Sequence, residues 1–325
     1  MPEEPQDKDE ALEGRPDDLE IKPEEPPEDA EQADVPLPVG EALRPSEATR
    51  ITCSVPTNVI VLGGAEKGGK TTLISSLYER FVLGPFSEYS FAGSATLMGF
   101  EKISHLGRTL SGRTEPDTDR TPLASSRLMY HLRLRCQRES RHQDLLFVDL
   151  SGEEFDDICN SSDACHDLHV IRRADYFILL IDGRKLVDCA LRHSVRDEAF
   201  IFLRRLIETD VLSDRSRVDV VFSKWDLVES SPGKDEAEQF REGIESEVRE
   251  RFGISFAGLR FETIKARQPD GGCLPATGVE SLLPAWFSNS RPMNTSEHVA
   301  KPSMMPGREI DRFSAVSRDS RKGEH

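Results

Sequence analysis

The chain has 325 residues, 31% of them charged and 37% hydrophobic, with a formal net charge of −17. That length has room for two small domains, while the acidity argues against a nucleic-acid-binding surface and the lack of any run of about 18 apolar residues argues against a membrane span. In chain order, residues 1 to about 50 come first, with 17 acidic residues against 5 basic, many prolines and almost no apolar run. Such a segment cannot bury enough surface to offset the entropy of ordering, so a disordered tail is expected, acting as a solubilising spacer or docking on a basic partner. The tail accounts for about twelve of the seventeen net negative charges, so the global acidity describes it more than the remainder.

The apolar run Asn58-Val59-Ile60-Val61-Leu62 reads as a buried strand over 57–62. It is followed by Gly64-Ala65-Glu66-Lys67-Gly68-Gly69-Lys70-Thr71 and then by a helical pattern over 70–83 that begins Thr72-Leu73-Ile74. Strand, glycine loop and helix in that order form a phosphate-binding P-loop. Glycines let backbone N–H groups turn inward on a polyphosphate, and the open end of the following helix adds positive dipole there. Lys70 is expected to reach the β- and γ-phosphates and Thr71 to ligate Mg²⁺, with Thr72 completing the loop's nucleotide-binding set.

A stretch of roughly 44 residues, about 84–127, separates this helix from the next strand. It is longer than a plain connection. Within it Thr96 to Leu110 has helical spacing, with Leu97, Phe100, Ile103, Leu106 and Leu110 facing inward. Strands over 128–136 and 144–150 follow, close enough to form an antiparallel hairpin. The second delivers Asp149-Leu150-Ser151-Gly152, an Asp-x-x-Gly step in which Asp149 would hold Mg²⁺ through a water and the Gly152 N–H would meet a γ-phosphate. Next come a strand over 175–182, ending in Asp182-Gly183-Arg184-Lys185 with no chemistry assigned, and a helix near 195–209. The strand over 217–223 delivers Ser223-Lys224-Trp225-Asp226. An ionised Asp226 can accept the N1–H and 2-amino hydrogens of guanine, whereas adenine would leave those acceptors unpaired. Lys224 would lie along the base and brace the phosphate loop, and Ser223 offers a short hydroxyl. A helix over 235–251, a strand over 258–264 and a short helix near 279–287 complete the pattern, and residues 291–325 read as a second disordered tail. The fold class expected is α/β: a doubly wound, mostly parallel six-stranded P-loop sheet with one antiparallel strand.

Three motifs in this order, each at a strand's C-terminal end, resemble the Ras-like, translation-factor-related class of P-loop GTPases over about residues 56–290. Through Phe91-Ala92-Gly93-Ser94-Ala95-Thr96-Leu97-Met98-Gly99-Phe100-Glu101 and Ser111-Gly112-Arg113-Thr114-Glu115-Pro116-Asp117-Thr118, the chain looks like a bacterial member of the double-GTPase group of conflict and stress systems. The resemblance implies a GTP-hydrolysing switch with GTP or GDP as ligand and Mg²⁺ as cofactor. It also implies protein partners: a regulator, an effector and a second GTPase. The first switch should supply a magnesium-binding threonine just before the strand over 128–136, and Thr118 and Thr121 both stand there. The last sheet strand, Phe261-Glu262-Thr263-Ile264-Lys265-Ala266, loosely matches the Glu-Thr-Ser-Ala-Lys signature, so backbone N–H groups at Lys265 and Ala266 would meet guanine O6.

Two departures bear on mechanism. Glu153 stands where Ras-like enzymes carry a glutamine, and a carboxylate beside the γ-phosphate predicts slow intrinsic hydrolysis, with Lys70, Gly152 and Glu153 as the catalytic set. Glu66 and Lys67 replace two loop glycines. Lys67 is either a cation acting in cis near the β–γ bridging oxygen or a solvent-facing side chain paired with Glu66. Six irregularly spaced cysteines, with no signal sequence and no lipidation signature, point to the cytoplasm and no membrane anchor. Cys159, Cys165, His166 and His169 fit no common zinc spacing and read as ordinary helix residues. Rival functions are a pseudo-GTPase scaffold that holds GTP without turnover, favoured by Glu153, and an ATP-using P-loop enzyme, which Asp226 opposes.

Overall fold

The structure, a computed structural model, describes residues 40–105, 127–138, 141–165, 168–266 and 274–288. Its elements run α1 Pro45–Ser54, β1 Thr57–Gly63, α2 Lys70–Val82, β2 Tyr89–Gly93, α3 Leu97–His105, β3 Met129–Cys136, β4 His142–Asp149, α4 Gly152–Asn160 and α5 His169–Arg173. They continue with β5 Tyr176–Asp182, α6 Arg184–Val187, α7 Arg192–Glu208, β6 Arg217–Ser223, α8 Trp225–Glu229, α9 Lys234–Phe252, β7 Gly258–Thr263 and α10 Leu283–Ser288. Among the described residues the strands form one seven-stranded sheet in the order β2-β3-β4-β1-β5-β6-β7. The pairings β4-β1-β5-β6-β7 are parallel, and β3 runs antiparallel to both its neighbours.

Alternation within the strands builds a core on each face of this sheet. Val59 and Val61 of β1 join Phe177, Leu179 and Ile181 of β5 in one, which α7 and α9 cover with Phe202, Leu203, Leu206, Ile244 and Val248. Ile60 and Leu62, with Ile178 and Leu180, point into the other. There α2 contributes Leu73, Ile74, Leu77, Tyr78 and Phe81, the i, i+4 and i+8 stripe of an amphipathic helix. The parallel strands are buried on both faces, which is why they read as continuous apolar runs. The closing α10 buries Leu283 and Trp286 completely, each stabilising its attachment by about 1.5–3 kcal/mol.

Two elements extend the expected plan. The seventh strand, β2, comes from the long connection after α2 and pairs with β3, the strand that would otherwise be the sheet edge. Described structure also lies before residue 50, within the span expected as tail. Leu43 exchanges backbone hydrogen bonds with Met129 at 2.8 and 3.2 Å. Pro45 then opens α1, where its missing N–H is harmless, and the Glu47 carboxylate accepts the Arg44 N–H at 2.8 Å.

The segment from Phe91 to Glu101 is a docking device for the insertion. The Ser94 and Thr96 hydroxyls donate to the His131 carbonyl at 2.6 and 3.3 Å, and the His131 N–H returns to Thr96 at 2.9 Å. The Ala95 N–H donates to His131 Nδ1 at 3.0 Å, so Nε2 carries the proton that Asp144 accepts at 2.6 Å. Arg133 donates to the same carboxylate oxygen at 2.9 Å. Phe100 is fully buried and stacks on Tyr78 of α2, whose hydroxyl donates to Glu101 at 2.8 Å. Ile103 packs inward as expected, Leu97 is 40% exposed, and Leu106 and Leu110 lie outside the described residues.

Burial pushes the Asp144 carboxyl up, but the bonds from His131 and Arg133 outweigh it and hold the group below the usual carboxylate range. A depressed carboxylate stabilises the fold above its ordinary value, and that contribution is lost as pH falls through the folded value, below about pH 4. Asp144→Ala strands both donors and is expected to cost about 2–4 kcal/mol in urea denaturation at neutral pH. A loss under about 0.5 kcal/mol would show that the network does not hold the insertion to β3.

Candidate functional site

The site is built where four strand ends converge. The parallel register sets Leu62 of β1 opposite Asp149 of β4, so the loop leaving β1 and the segment leaving β4 emerge side by side. β5 flanks β1 on the other side, and β6 follows it. The loop turns at Gly64, whose φ is 149° and where a Cβ would stand 2.5 Å from the Leu180 carbonyl oxygen, so no side chain fits. Gly69 caps α2 with a φ of 95°, and Lys67 adopts the left-handed region at 60° without being glycine.

Lys70, the first residue of α2, folds back beneath the loop. Its ammonium donates to the Gly64 carbonyl at 2.7 Å and the Ala65 carbonyl at 3.0 Å. Burial lowers its pKa, and the negative charges of Asp149, Asp156, Glu66 and Glu154 act against that shift. Thr71 Oγ1 donates to Asp149 Oδ2 at 2.5 Å. A hydroxyl and a carboxylate so paired are hard oxygen donors of the kind Mg²⁺ takes from a protein that leaves its other positions to water and phosphate. Thr72 lies in the first turn of α2, where its carbonyl accepts the Ser75 hydroxyl at 3.1 Å.

After Asp149 the chain turns into α4. Ser151 caps that helix by accepting the Glu154 N–H at 3.0 Å, and Glu154 returns the bond to the Ser151 N–H at 3.0 Å. Arg127, at the exit of the insertion, donates to Glu154 at 3.0 Å and so ties the two segments flanking the site. Gly152 lies directly on the phosphate loop: a Cβ there would stand 2.7 Å from Glu66 Cα and N. Glu66 and Lys67 are exposed and, among the described residues, form no ion pair with each other. Thr118 and Thr121 lie outside the described residues.

The segment after β6 grips the same loop. Ser223 Oγ donates to the Gly68 carbonyl at 2.7 Å, and the Lys224 ammonium donates to the Lys67 carbonyl at 2.6 Å. Asp182, at the end of β5, accepts from Lys224 at 2.8 Å. That residue had no assigned role in the sequence; its position at a strand's C-terminal end, where α/β sheets bind ligands, is a signal that could have found it. Asp226 stands in the first turn of α8 and is 9% exposed. Burial pushes its carboxyl up, while nearby backbone N–H groups and the Lys265 charge pull it down. Lys265 itself pairs with Glu229 at 2.7 Å.

One expected base contact is taken. The Lys265 N–H donates to the Thr277 carbonyl at 2.9 Å, because the segment after β7 bends back and bridges 277. The Ala266 carbonyl in turn accepts the Ala276 N–H at 3.1 Å. Burial raises the Cys159 thiol to about 12, and Cys165 is buried. His166 lies outside the described residues. No described helix is long and apolar enough to cross a membrane.

The Double-GTPase 2 family model matches residues 58–287. A comparison with curated proteins gave no match. Among solved structures, the chain is similar at 13% identity and a TM-score of 0.39 to the signal recognition particle receptor SRb-GTP/SRX complex of Chaetomium thermophilum, over 70% of this chain and 95% of that one. It is similar at 13% identity and a TM-score of 0.43 to the S. cerevisiae Ski7 GTPase-like domain bound to GTP, over 74% of this chain and 52% of that one. The Methanosarcina barkeri Roco2 RocCORdC bound to GDP gives 15% identity and a TM-score of 0.33, over 71% and 48%. The chain thus spans about half the length of the Ski7 and Roco2 chains.

Proposed function

The chain belongs to the Double-GTPase 2 family, and on that premise we propose that it binds GTP and GDP with Mg²⁺ and hydrolyses GTP slowly, as a switch in bacterial signalling or conflict. The observation that carries this reading is the double grip of the base segment on the phosphate loop, Ser223 on the Gly68 carbonyl and Lys224 on the Lys67 carbonyl. It makes one rigid unit of the elements that would read the base and hold the phosphates.

In that unit the N–H groups of residues 64–72 receive the phosphates, and Lys70 turns its ammonium from the loop carbonyls to the β- and γ-oxygens. Asp226 accepts the two guanine donors, and Ala266 offers its N–H to O6. Thr71 and Asp149 would hold Mg²⁺, with Thr118 or Thr121 as the first-switch ligand, and the ion would supply positive charge against the phosphates. The Gly152 N–H faces the γ-phosphate, so its loss on hydrolysis releases α4. The cytoplasm, and protein partners that set the exchange and hydrolysis rates, belong to the same proposal.

Glu153 decides between a switch and a scaffold that binds GTP without useful turnover. Its carboxylate can orient water, but its charge beside the γ-phosphate opposes the reaction. Single-turnover hydrolysis of GTP and ATP, with binding of each nucleotide, tests the proposal. GTP-selective binding with slow cleavage is expected, GTP-selective binding without cleavage supports the scaffold, and ATP preference overturns the role of Asp226. Glu153→Gln is expected to raise the single-turnover rate by about tenfold if charge alone is the obstacle; a fall would make Glu153 a working catalytic group.

A further inference from the structure

We propose that Asp182 is a positioning residue for nucleotide binding, acting through Lys224; the inference rests on the GTP-binding reading above. The chemistry is a two-sided carboxylate at the end of β5. Asp182 Oδ1 accepts the Arg184 N–H at 3.0 Å and so closes the turn that leaves the strand. Oδ2 accepts from the Lys224 ammonium at 2.8 Å, and the same ammonium reaches the Lys67 carbonyl at 2.6 Å. Asp182 is buried, at 5% exposure, while its lysine partner is partly open to solvent.

Lys224 needs such a holder. It stands in the left-handed region at φ 54°, a strained setting for a lysine, and its four-carbon stem has more freedom than any other group in the motif. The Lys67 carbonyl it meets belongs to a residue also in the left-handed region, at φ 60°. A carbonyl is a neutral acceptor, so it fixes an ammonium less firmly than a carboxylate does; the buried Asp182 carboxylate adds an ion pair and sets the direction of the stem. The adjacent Ser223 hydroxyl also accompanies β5, lying 3.3 Å from the Ile181 carbonyl. The end of β5 is therefore the fixed point against which the base segment and the phosphate loop are aligned. The stretch Asp182-Gly183-Arg184, which carries no recognisable motif, acquires a role in this way. The approach is close enough that a Cβ at Gly183 would stand 2.5 Å from the Ser223 carbonyl oxygen.

Asp182→Asn separates this role from turn closure. The amide oxygen can still accept the Arg184 N–H, while an NH₂ group replaces the oxygen that faces Lys224. The experiment measures dissociation of a fluorescent GDP analogue with Mg²⁺ from the full chain, for wild type, Asp182→Asn, Lys224→Ala and the double variant, with circular dichroism and melting as fold controls. Asp182→Asn is expected to speed release by about tenfold with a melting temperature near wild type, and to add nothing in the Lys224→Ala background. Equal release rates for wild type and Asp182→Asn, or additive effects in the double variant, would overturn the proposal while leaving GTP binding intact. A wild-type chain that holds no GDP overturns both.

Discussion

Lys70→Ala is expected to abolish binding of GTP and GDP while leaving the fold in place. In the free protein the ammonium satisfies two loop carbonyls, Gly64 and Ala65, and stays buried. Its burial is unfavourable to the charge, as the lowered pKa records, so the fold gains little from keeping it there. The large loss falls on the ligand. Two charge-assisted bonds to phosphate, at about 1.5–3 kcal/mol each, amount to roughly a hundredfold to ten-thousandfold in affinity. Calorimetry and thermal shift distinguish the cases: the free variant should melt within a few degrees of wild type, and added GTP should no longer raise its melting temperature. Tight GTP binding by a folded Lys70→Ala variant would mean that the loop from Gly64 to Thr71 is not the phosphate site.

Most of this architecture was legible in the residue order. The strand at 217–223 matches the structure residue for residue, and β1, β5 and α2 agree to within a residue at either end, because each is a continuous apolar run or an i, i+4 stripe bounded by glycine or charge. β2 was not legible for the converse reason. Tyr89–Gly93 is short, mostly half-buried or exposed and interrupted by Ala92 and Gly93, so its identity as a strand comes from pairing with β3 rather than from its own pattern. α1 was hidden by composition: Pro45, Glu47 and Arg50 extend the character of the acidic tail, and only Ala48 of the helix is buried. In the site, the residues that chemistry singles out by type came together as Thr71 with Asp149 and as Lys224 with the loop. The partners that fix them, Asp182 for Lys224 and Thr277 for the Lys265 N–H, lie 42 and 12 positions away in sequence, and no local spacing announces them.

Asp226→Asn is expected to change which nucleotide the protein selects. The carboxylate presents two acceptors, matching the N1–H and 2-amino donors of guanine. An asparagine keeps one acceptor for N1–H and turns its NH₂ toward position 2, where guanine offers another donor and xanthine offers O2. One good contact becomes a repulsion with GTP and a new bond with xanthosine triphosphate. Because Asp226 is nearly buried, unpaired groups there carry their full desolvation cost, and the loss of GTP affinity should reach at least about a hundredfold. The acidity of the site gives a second readout. Burial raises the Asp226 pKa, so the ionised form is lost as pH falls toward the folded value, earlier than for an exposed aspartate. Wild-type affinity for GTP should therefore weaken toward mild acid more steeply than that of Asp226→Asn, which has no proton to take up. Competition between GTP and xanthosine triphosphate, measured at neutral pH and again near pH 5, gives both results. Unchanged GTP preference in the variant would remove Asp226 from the base site and return the specificity question to the segment around Ala266.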